Sequence, residues 1–113
     1  MKELVEDLIK MNQEGRVLEL CEKYYDNNIL MLSDGNIFAQ SMIEARDKQQ
    51  GFVKAVKQFE VTLISQKLDG NIAELVFNYK MVSADDAVSE FVGKHTQTWG
   101  NSKIIREEYE SIN

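Results

Sequence analysis

The chain has no proline and only one cysteine and one histidine, Cys21 and His95, among its 113 residues. A single cysteine cannot form an intramolecular disulfide, so nothing in the sequence requires an oxidising compartment. One histidine and one cysteine are also too few for the zinc and iron sites that proteins usually build. We therefore expect no metal and no cofactor, and we expect Cys21, on an apolar helical stripe, to be a buried and unreactive thiol.

Several functional motifs are missing as well. The sequence contains no G-x-S-x-G motif of serine hydrolases and no glycine-rich loop that would hold a phosphate. Basic residues are in the minority, with 13 Lys and Arg against 19 Asp and Glu and a net charge of −6. Because nucleic acid and anionic lipid both require a basic face, we expect neither nucleic acid nor a membrane as a partner.

Long apolar runs are the third absence. No stretch approaches the roughly 20 apolar residues of a membrane-spanning helix. The first residues include Glu3, Glu6 and Asp7, which interrupt the apolar core that a signal peptide needs. We therefore expect a cytoplasmic protein. The length and the composition, 43% hydrophobic and 28% charged, predict one globular domain spanning residues 1–113.

Helical periodicity marks the first half of the chain. Residues 4–11 and 17–26 repeat apolar side chains every three or four positions, which is typical of amphipathic helices. The apolar run 29–32 predicts a short buried strand, ended by a turn at residues 33–36. A third helix is predicted from about Ser41 to Lys57, with Ser41 as its N-cap and Glu44 completing a capping box. The apolar spacing of this helix continues through Phe52 to Phe59.

The second half alternates apolar and polar residues with the period of a β-strand. Residues 59–63 and then 71–82 form a predicted hairpin around Asp69-Gly70. Strands 87–99 and 103–111 follow, after turns at 83–86 and 100–102. One strand carries Leu75, Phe77, Tyr79 and Met81 on a single face, and the next carries Phe91, Gly93, His95, Gln97 and Trp99. We expect a bulge or bend at Gly93.

This order of elements predicts an α+β fold, with helices gathered on one face of a curved antiparallel sheet. Two stretches carry a family resemblance. The run Tyr24-Tyr25-Asp26-Asn27-Asn28, followed by Ile29-Leu30-Met31, is similar to "YYADDVV". The segment from Gln97 to Tyr109 resembles the ending "vqrWkdGKIvreryy". Both are patterns of the nuclear transport factor 2-like superfamily, and the chain most resembles its SnoaL-like branch, named for a polyketide cyclase. Ser102 departs from the pattern, since the family usually has glycine there.

The resemblance implies a cone-shaped, cystatin-like fold with three N-terminal helices packed on a strongly curved antiparallel sheet. It also implies a cavity at one end of the cone and homodimers formed through the sheet. Members of the superfamily include ketosteroid isomerase, polyketide cyclases, dehydratases, ligand-binding modules and interaction adaptors. Since one fold carries unrelated functions, only the site can decide between them.

Asp34 is the first candidate catalytic residue. Ketosteroid isomerase-like members carry an acidic base on or just after the short strand, where this chain has Ser33 at the expected position and Asp34 one residue later. A carboxylate there would abstract a proton beside a carbonyl if burial raised its pKa toward neutrality. The alternative is that Asp34 simply begins a Ser-Asp-Gly-Asn turn.

His95 and Tyr79 are the other two predicted catalytic residues. His95 would act as acid, base or oxyanion donor, and Tyr79 would donate a hydrogen bond to a ligand carbonyl. Packing in the core with their polar atoms satisfied locally is the alternative for both. The ligand-binding residues that we predict around them are Gln97, Trp99, Phe77, Phe91 and Phe52.

Two functions follow from these candidates. The first is binding of a small, mostly apolar molecule in the cone, with cofactor-free isomerase, cyclase or dehydratase chemistry. In that chemistry Asp34 would be the base, and His95, Tyr79 or Gln97 would polarise a carbonyl. The second is a non-catalytic interaction or dimerisation module that uses an exposed sheet face formed by Val76, Val92, Thr96 and Thr98.

Overall fold

The computed structural model describes residues 1–112, which form three helices and one six-stranded sheet. Two helices come before the first strand in the chain, and the third lies between the second and third strands. The helices are α1 (Lys2–Gln13), α2 (Val17–Tyr24) and α3 (Met42–Ala55). The strands are β1 (Tyr25–Ser33), β2 (Asn36–Ala39), β3 (Val56–Asp69), β4 (Ile72–Ser83), β5 (Val88–Gly100) and β6 (Lys103–Ser111).

The strands lie in the order β2-β1-β6-β5-β4-β3. Neighbouring strands are antiparallel except β1 and β6, which run parallel. The first and last strands of the chain therefore pair at the middle of the sheet, while β2 and β3 form its two edges. The sheet curves around the three helices, so the predicted α+β architecture is confirmed.

One hydrophobic core lies between the helices and the face of the sheet that they cover, called here the inner face. From the helices it takes mainly Val5, Leu8, Ile9, Met11, Leu20, Cys21 and Tyr24. From the sheet it takes alternate residues such as Ile29, Met31, Leu75, Phe77, Tyr79, Trp99 and Ile104. The predicted burial of Cys21 is confirmed. Among residues 1–112, no helix has the length and apolarity that a membrane span requires.

Two predicted boundaries around β1 are wrong. Helix α2 ends at Tyr24 rather than near Asp26, and β1 begins at Tyr25 because the parallel pairing with β6 starts there, at Ile104. The strand β2 was also missed. Asp34 and Gly35 have φ angles of +49° and +84°, and Ser33 pairs with Asn36. Two such residues make a tight hairpin turn, so the chain returns as a strand where a loop was expected.

The N-terminus of α3 follows the prediction, but its C-terminus does not. Ser41 Oγ accepts a hydrogen bond from the Glu44 backbone N–H at 3.1 Å, which confirms the N-cap. Glu44 Oε1 in turn accepts from the Gln40 N–H at 2.8 Å. The helix ends at Ala55, two residues before Lys57, because pairing with β4 begins at Val56, opposite Ser83. Phe59 lies in β3 opposite Met81, in the strand predicted from residue 59.

Gly93 is needed for a different reason from the one predicted. The irregularity in β5 lies between Thr98 and Trp99, not at Gly93. The ring of Tyr109, on the neighbouring strand, lies over Gly93, and a Cβ added there would come within 2.4 Å of the ring. Glycine at this position therefore leaves room for an aromatic ring on the inner face.

The turn between β5 and β6 places two non-glycine residues in the left-handed region. Asn101 and Ser102 have φ angles of +52° and +64°, and Gly100 pairs with Lys103 across them. Asparagine tolerates this conformation, whereas serine, whose Cβ approaches the backbone, does not favour it. Ser102 is exposed to solvent, so no core contact compensates for this strain.

We expect Ser102→Gly to stabilise the protein by about 0.5–1 kcal/mol, because relief of left-handed strain outweighs the extra freedom of glycine when unfolded. Urea denaturation at neutral pH would measure the change. The matched control is Ser89→Gly, an exposed serine within β5, which we expect to destabilise the fold. A Ser102→Gly variant no more stable than the original chain would contradict the strain argument.

Candidate functional site

A buried carboxylate lies on the inner face of the sheet. Glu107 on β6 is only 3% exposed. Its Oε2 accepts a hydrogen bond from the Tyr25 hydroxyl at 3.0 Å, and its Oε1 accepts one from Gln97 Nε2 at 2.7 Å. Gln97 Oε1 accepts from the Trp99 indole N–H at 3.3 Å. A charge in the core is tolerated only with such partners, and every polar atom here has one.

His95 connects this carboxylate to a second group of polar atoms. Its Nδ1 lies 3.5 Å from Glu107 Oε1, and its Nε2 lies 2.7 Å from the hydroxyl oxygen of Tyr79. Asn12, near the end of α1, donates from Nδ2 to the same hydroxyl oxygen at 3.2 Å. Asn12, Tyr79, His95 and Glu107 therefore form a continuous line of polar contacts, which we call the inner relay.

Strand register explains why residues so distant in sequence meet. Gln97 lies directly opposite Glu107, and His95 lies opposite Tyr109 on one side and Leu75 on the other. Side chains on a strand alternate between faces, so His95 and Gln97 both point inward. Tyr25 reaches the same point because β1 pairs with the other edge of β6.

Electrostatics keep Glu107 charged. Burial alone would raise the pKa of its carboxyl group, but the His95 imidazole and the donors Gln97 and Tyr25 outweigh burial and lower it below its ordinary value of 4.5. The carboxylate affects its neighbours in the opposite direction. Burial, with this negative charge nearby, raises the pKa of Tyr79 and Tyr25 and raises that of the Cys21 thiol to about 12.

The contacts of the inner relay favour one tautomer of the neutral His95 ring. The carboxylate facing Nδ1 favours a proton on that nitrogen, which leaves Nε2 of a neutral imidazole to accept from the Tyr79 hydroxyl. If His95 gains a second proton, Nε2 becomes a donor and the hydroxyl hydrogen of Tyr79 is released. Because the His95 side chain is 19% exposed, the relay reaches solvent at this residue.

Aromatic rings surround the inner relay. Phe91 stacks on Tyr79 with ring centroids 5.2 Å apart, and Tyr109 lies edge-on to His95 at the same distance. Phe77 is buried and lies 5.8 Å from the rings of both Tyr79 and His95. The result is a small polar line in apolar walls, which is the usual composition of a small-molecule site.

The structure brings together most, but not all, of the predicted site residues. His95, Tyr79, Gln97, Phe77 and Phe91 converge on the inner relay as described. Trp99 is joined to them through Gln97, while its ring packs edge-on against Tyr24 at 5.6 Å.

Asp34 and Phe52 lie outside this group. Asp34 is exposed on the β1–β2 turn, where its carboxylate accepts hydrogen bonds from the Ser111 N–H at 2.9 Å and the Ser111 hydroxyl at 3.1 Å. It therefore ties the turn to the end of β6. Phe52 on α3 is 58% exposed and stacks on Phe38 at 6.4 Å.

Glu107 and Asn12 are the members that sequence reasoning missed. Glu107 stands in the run Arg106-Glu107-Glu108, where each charged residue is expected to face water. Alternation counted from Ile104 would place Arg106 on the core face, but the register shift in the β5–β6 pairing turns Glu107 inward instead, and no local pattern in the sequence shows this shift. No sequence pattern marks Asn12 as a site residue, since an asparagine near the end of a helix is common.

The surface of residues 1–112 includes two open depressions. The larger, of about 440 Å³, lies beside the β1–β2 turn and is lined by Leu32, Asp34, Gly35, Glu108, Tyr109, Glu110 and Ser111. The smaller, of about 160 Å³, is lined by Lys67, Asp69, Ile72 and Glu74. Tyr79, His95 and Glu107 line neither of these two depressions.

Comparison with solved structures identifies the fold. A protein described as a SnoaL-like polyketide cyclase from Mesorhizobium loti superposes with a TM-score of 0.78 at 18% identity, over 96% of each chain. A cystatin-fold protein from Novosphingobium aromaticivorans gives 0.81 at 12% identity, over 95% of this chain and 94% of the other. The fold is nuclear transport factor 2-like.

A third protein of this fold, from Catenulispora acidiphila, has a ketosteroid isomerase-like fold and was crystallised with trimethylamine. It superposes with a TM-score of 0.77 at 8% identity, over 95% of this chain and 83% of the other. No family model and no curated protein matches the sequence. The predicted cone-shaped, cystatin-like fold is confirmed, and these neighbours include one protein described as a polyketide cyclase and one described as having a ketosteroid isomerase-like fold.

We expect Glu107→Gln to destabilise the protein by about 3 kcal/mol at pH 7, since an amide cannot accept from all the donors around this carboxylate. The folded-state pKa of Glu107 is lowered, so its stabilising contribution is complete above pH 4.5 and is lost as the pH falls through the folded value. The stability difference between the two proteins should therefore shrink below about pH 4.5.

Urea denaturation from pH 7 to pH 3 would measure this difference. Glu108→Gln is the matched control, because Glu108 is adjacent but bonds only Arg106 at a partly exposed position. Stability curves for the original chain and Glu107→Gln that run parallel across this pH range would contradict an ionised Glu107 in the folded protein.

Proposed function

We propose that this chain binds a small, largely apolar molecule beside Tyr79 and His95 and exchanges a proton with it, without a cofactor. The observation that carries the proposal is the inner relay, a line of polar contacts that runs from Asn12 through Tyr79 and the partly exposed His95 to the buried, ionised carboxylate of Glu107. A purely structural core has no need of a charge at this depth, since apolar residues of similar volume would pack there at lower cost.

Proton transfer from the ligand would use two linked steps. An acidic O–H or C–H group of the ligand gives its proton to the Tyr79 oxygen, and the original phenolic proton moves to His95 Nε2, 2.7 Å away. The ligand keeps the electron pair of the broken bond. The imidazolium that forms is stabilised by Glu107, which orients the ring through Nδ1 as an acid orients histidine in other enzymes.

The reverse direction uses the same atoms. With His95 protonated, Nε2 donates to the Tyr79 oxygen, and the released phenolic hydrogen can donate to a ligand carbonyl. Asn12 holds the hydroxyl oxygen in both states. A hydrogen bond from the Tyr79 hydroxyl polarises the ligand carbonyl and stabilises the enolate that forms when a neighbouring C–H loses its proton. Enolisation of this kind is the step that we propose for isomerase, cyclase or dehydratase chemistry here.

Support for this class of reaction comes from solved proteins of the same fold, one described as a SnoaL-like polyketide cyclase and one as having a ketosteroid isomerase-like fold. The base role of Asp34 remains a prediction from sequence. In the folded chain Asp34 is committed to Ser111, so we place the proton-accepting role on His95. The experiment below separates the two residues.

The apolar ketone 2-tetralone is a suitable probe, since its carbonyl can accept a hydrogen bond and the adjacent C–H groups are acidic. We expect the protein to accelerate deuterium exchange at these carbons, measured by proton NMR in heavy water. His95→Gln should reduce the acceleration by at least about 100-fold, the usual contribution of a general base. Asp34→Ala should retain it.

Binding is measured separately with the fluorescent phenol 2-naphthol. Tyr79→Phe should weaken binding by about tenfold, the effect of losing one good hydrogen bond. Tyr24→Phe is the matched control, because that hydroxyl bonds Asp7 at 2.5 Å instead. Exchange lost in Asp34→Ala but kept in His95→Gln would assign the base to Asp34. Binding without any exchange would leave a ligand-binding protein.

A second candidate function is association through the outer face of the sheet, the face turned away from the helices. Val76, Val92, Thr96 and Thr98 lie there, each partly exposed. Val76 on β4 lies opposite Lys94 on β5, and Lys94 forms an ion pair with Glu74 at 3.4 Å. Val92 on β5 lies opposite Asn78 on β4. We propose this face as the site of the homodimer that the sequence suggested. Val92→Glu should then lower the mass measured by sedimentation equilibrium, while an unchanged mass would contradict association through this face.

A further inference from the structure

The strand β3 leaves one edge open along its entire length. It is 14 residues long and pairs with β4 on one side only. Within residues 1–112, no other strand or helix is hydrogen-bonded to its second edge. Phe59, Ile64 and Leu68 along it are 46%, 55% and 38% exposed. A long edge with apolar side chains is a template for another strand.

A bulge divides the strand into two halves. Phe59 lies opposite Met81 and Glu60 opposite Lys80, whereas beyond Ile64 the register shifts by one residue. Leu68 then lies opposite the buried Ala73. As a result Phe59 and Leu68, nine positions apart, both face inward. Glu60 and Lys67, seven positions apart, both face outward, since their partners Lys80 and Glu74 lie on the outer face.

This arrangement is complementary to itself under a two-fold axis. If two copies of β3 pair antiparallel about a point between Leu63 and Ile64, Glu60 of each copy lies opposite Lys67 of the other. In the same register Phe59 lies opposite Leu68, and Thr62 opposite Ser65. Residues that lie opposite each other in paired strands must point to the same face of the sheet. Without the bulge, residues seven or nine positions apart would point to different faces, so the bulge allows the Glu60–Lys67 and Phe59–Leu68 pairs to form in one register.

Shifting the two β3 strands by one or two residues gives less favourable pairs of opposite side chains. A shift of one residue places Phe59 opposite Lys67, which point to different faces. A shift of two places Glu60 opposite Asp69, where like charges repel, or opposite Ser65 in the other direction. The pattern of charges and apolar residues therefore selects a single register.

The charges also continue an existing row. On the outer face Glu90 of β5 lies opposite Lys80, and Lys80 lies opposite Glu60. In the self-paired register the row goes on to Lys67 of the second copy and then to its Glu74, which bonds Lys94 at 3.4 Å. Negative and positive side chains alternate along this row, so each charged residue attracts the residue next to it.

We propose that β3 pairs with β3 of a second copy of this chain, joining two sheets edge to edge in the register that sets Glu60 opposite Lys67. This contact is separate from the outer face and from the inner relay. It covers an edge that the fold otherwise leaves open, and it requires no residue of the site.

The test is a charge exchange measured by sedimentation equilibrium. Glu60→Lys and Lys67→Glu should each weaken the dimer by about tenfold, since each places two pairs of like charges across the contact. The double variant E60K/K67E restores opposite charges and should recover the original affinity. The matched control is Glu110→Lys, which reverses the charge of an exposed residue on β6, away from β3, and should leave the dimer affinity unchanged. Amide hydrogen exchange in β3 should also slow as protein concentration rises.

Recovery in the double variant together with concentration-dependent protection of β3 would establish the contact. A chain that stays monomeric overturns it, including the case in which a strand from another protein occupies this edge. A dimer that survives both single reversals but dissociates in Val92→Glu overturns it too, since association would then use the outer face. Circular dichroism of each variant confirms that the fold is retained.

Discussion

The buried carboxylate of Glu107 is the interaction on which the centre of this structure depends. A charge at 3% exposure is stable only when donors surround it. Those donors come from Tyr25 on β1 and from His95 and Gln97 on β5. The carboxylate therefore links the three strands at the middle of the sheet, and it makes the parallel pairing of β1 with β6 part of the site as well as of the fold.

The same constraint gives the inner relay its chemical character. A lone histidine in an apolar core would be a packing residue, but His95 holds one ring nitrogen 3.5 Å from an ionised carboxylate and the other 2.7 Å from the Tyr79 hydroxyl oxygen. Tyr79 continues this line of contacts toward the apolar walls, and Asn12 connects it to α1. Structural stability and the proposed proton transfer thus rest on the same few contacts, so a change at Glu107 should affect both.

The sheet is unevenly covered. Its middle strands bury their inner face under the helices, whereas β3 at one edge is mostly exposed and interrupted by the bulge at Ile64. The bulge reverses the facing of every residue beyond it. The bulge therefore places Phe59 and Leu68 on one face and Glu60 and Lys67 on the other. This arrangement makes the edge of β3 complementary to the same edge of a second copy.

Alternation with a period of two determined much of this from the sequence alone. It placed Leu75, Phe77, Tyr79, His95 and Gln97 on covered faces correctly, because neighbouring side chains on a strand must point to opposite sides. Local chemistry likewise fixed the Ser41 cap and the turn at Asp34-Gly35. Tertiary structure decided the rest. Tyr25 became a strand residue, and Glu107 turned inward, only because partners up to 82 positions away met them. Burial of a charge depends on such distant donors, which no local pattern specifies.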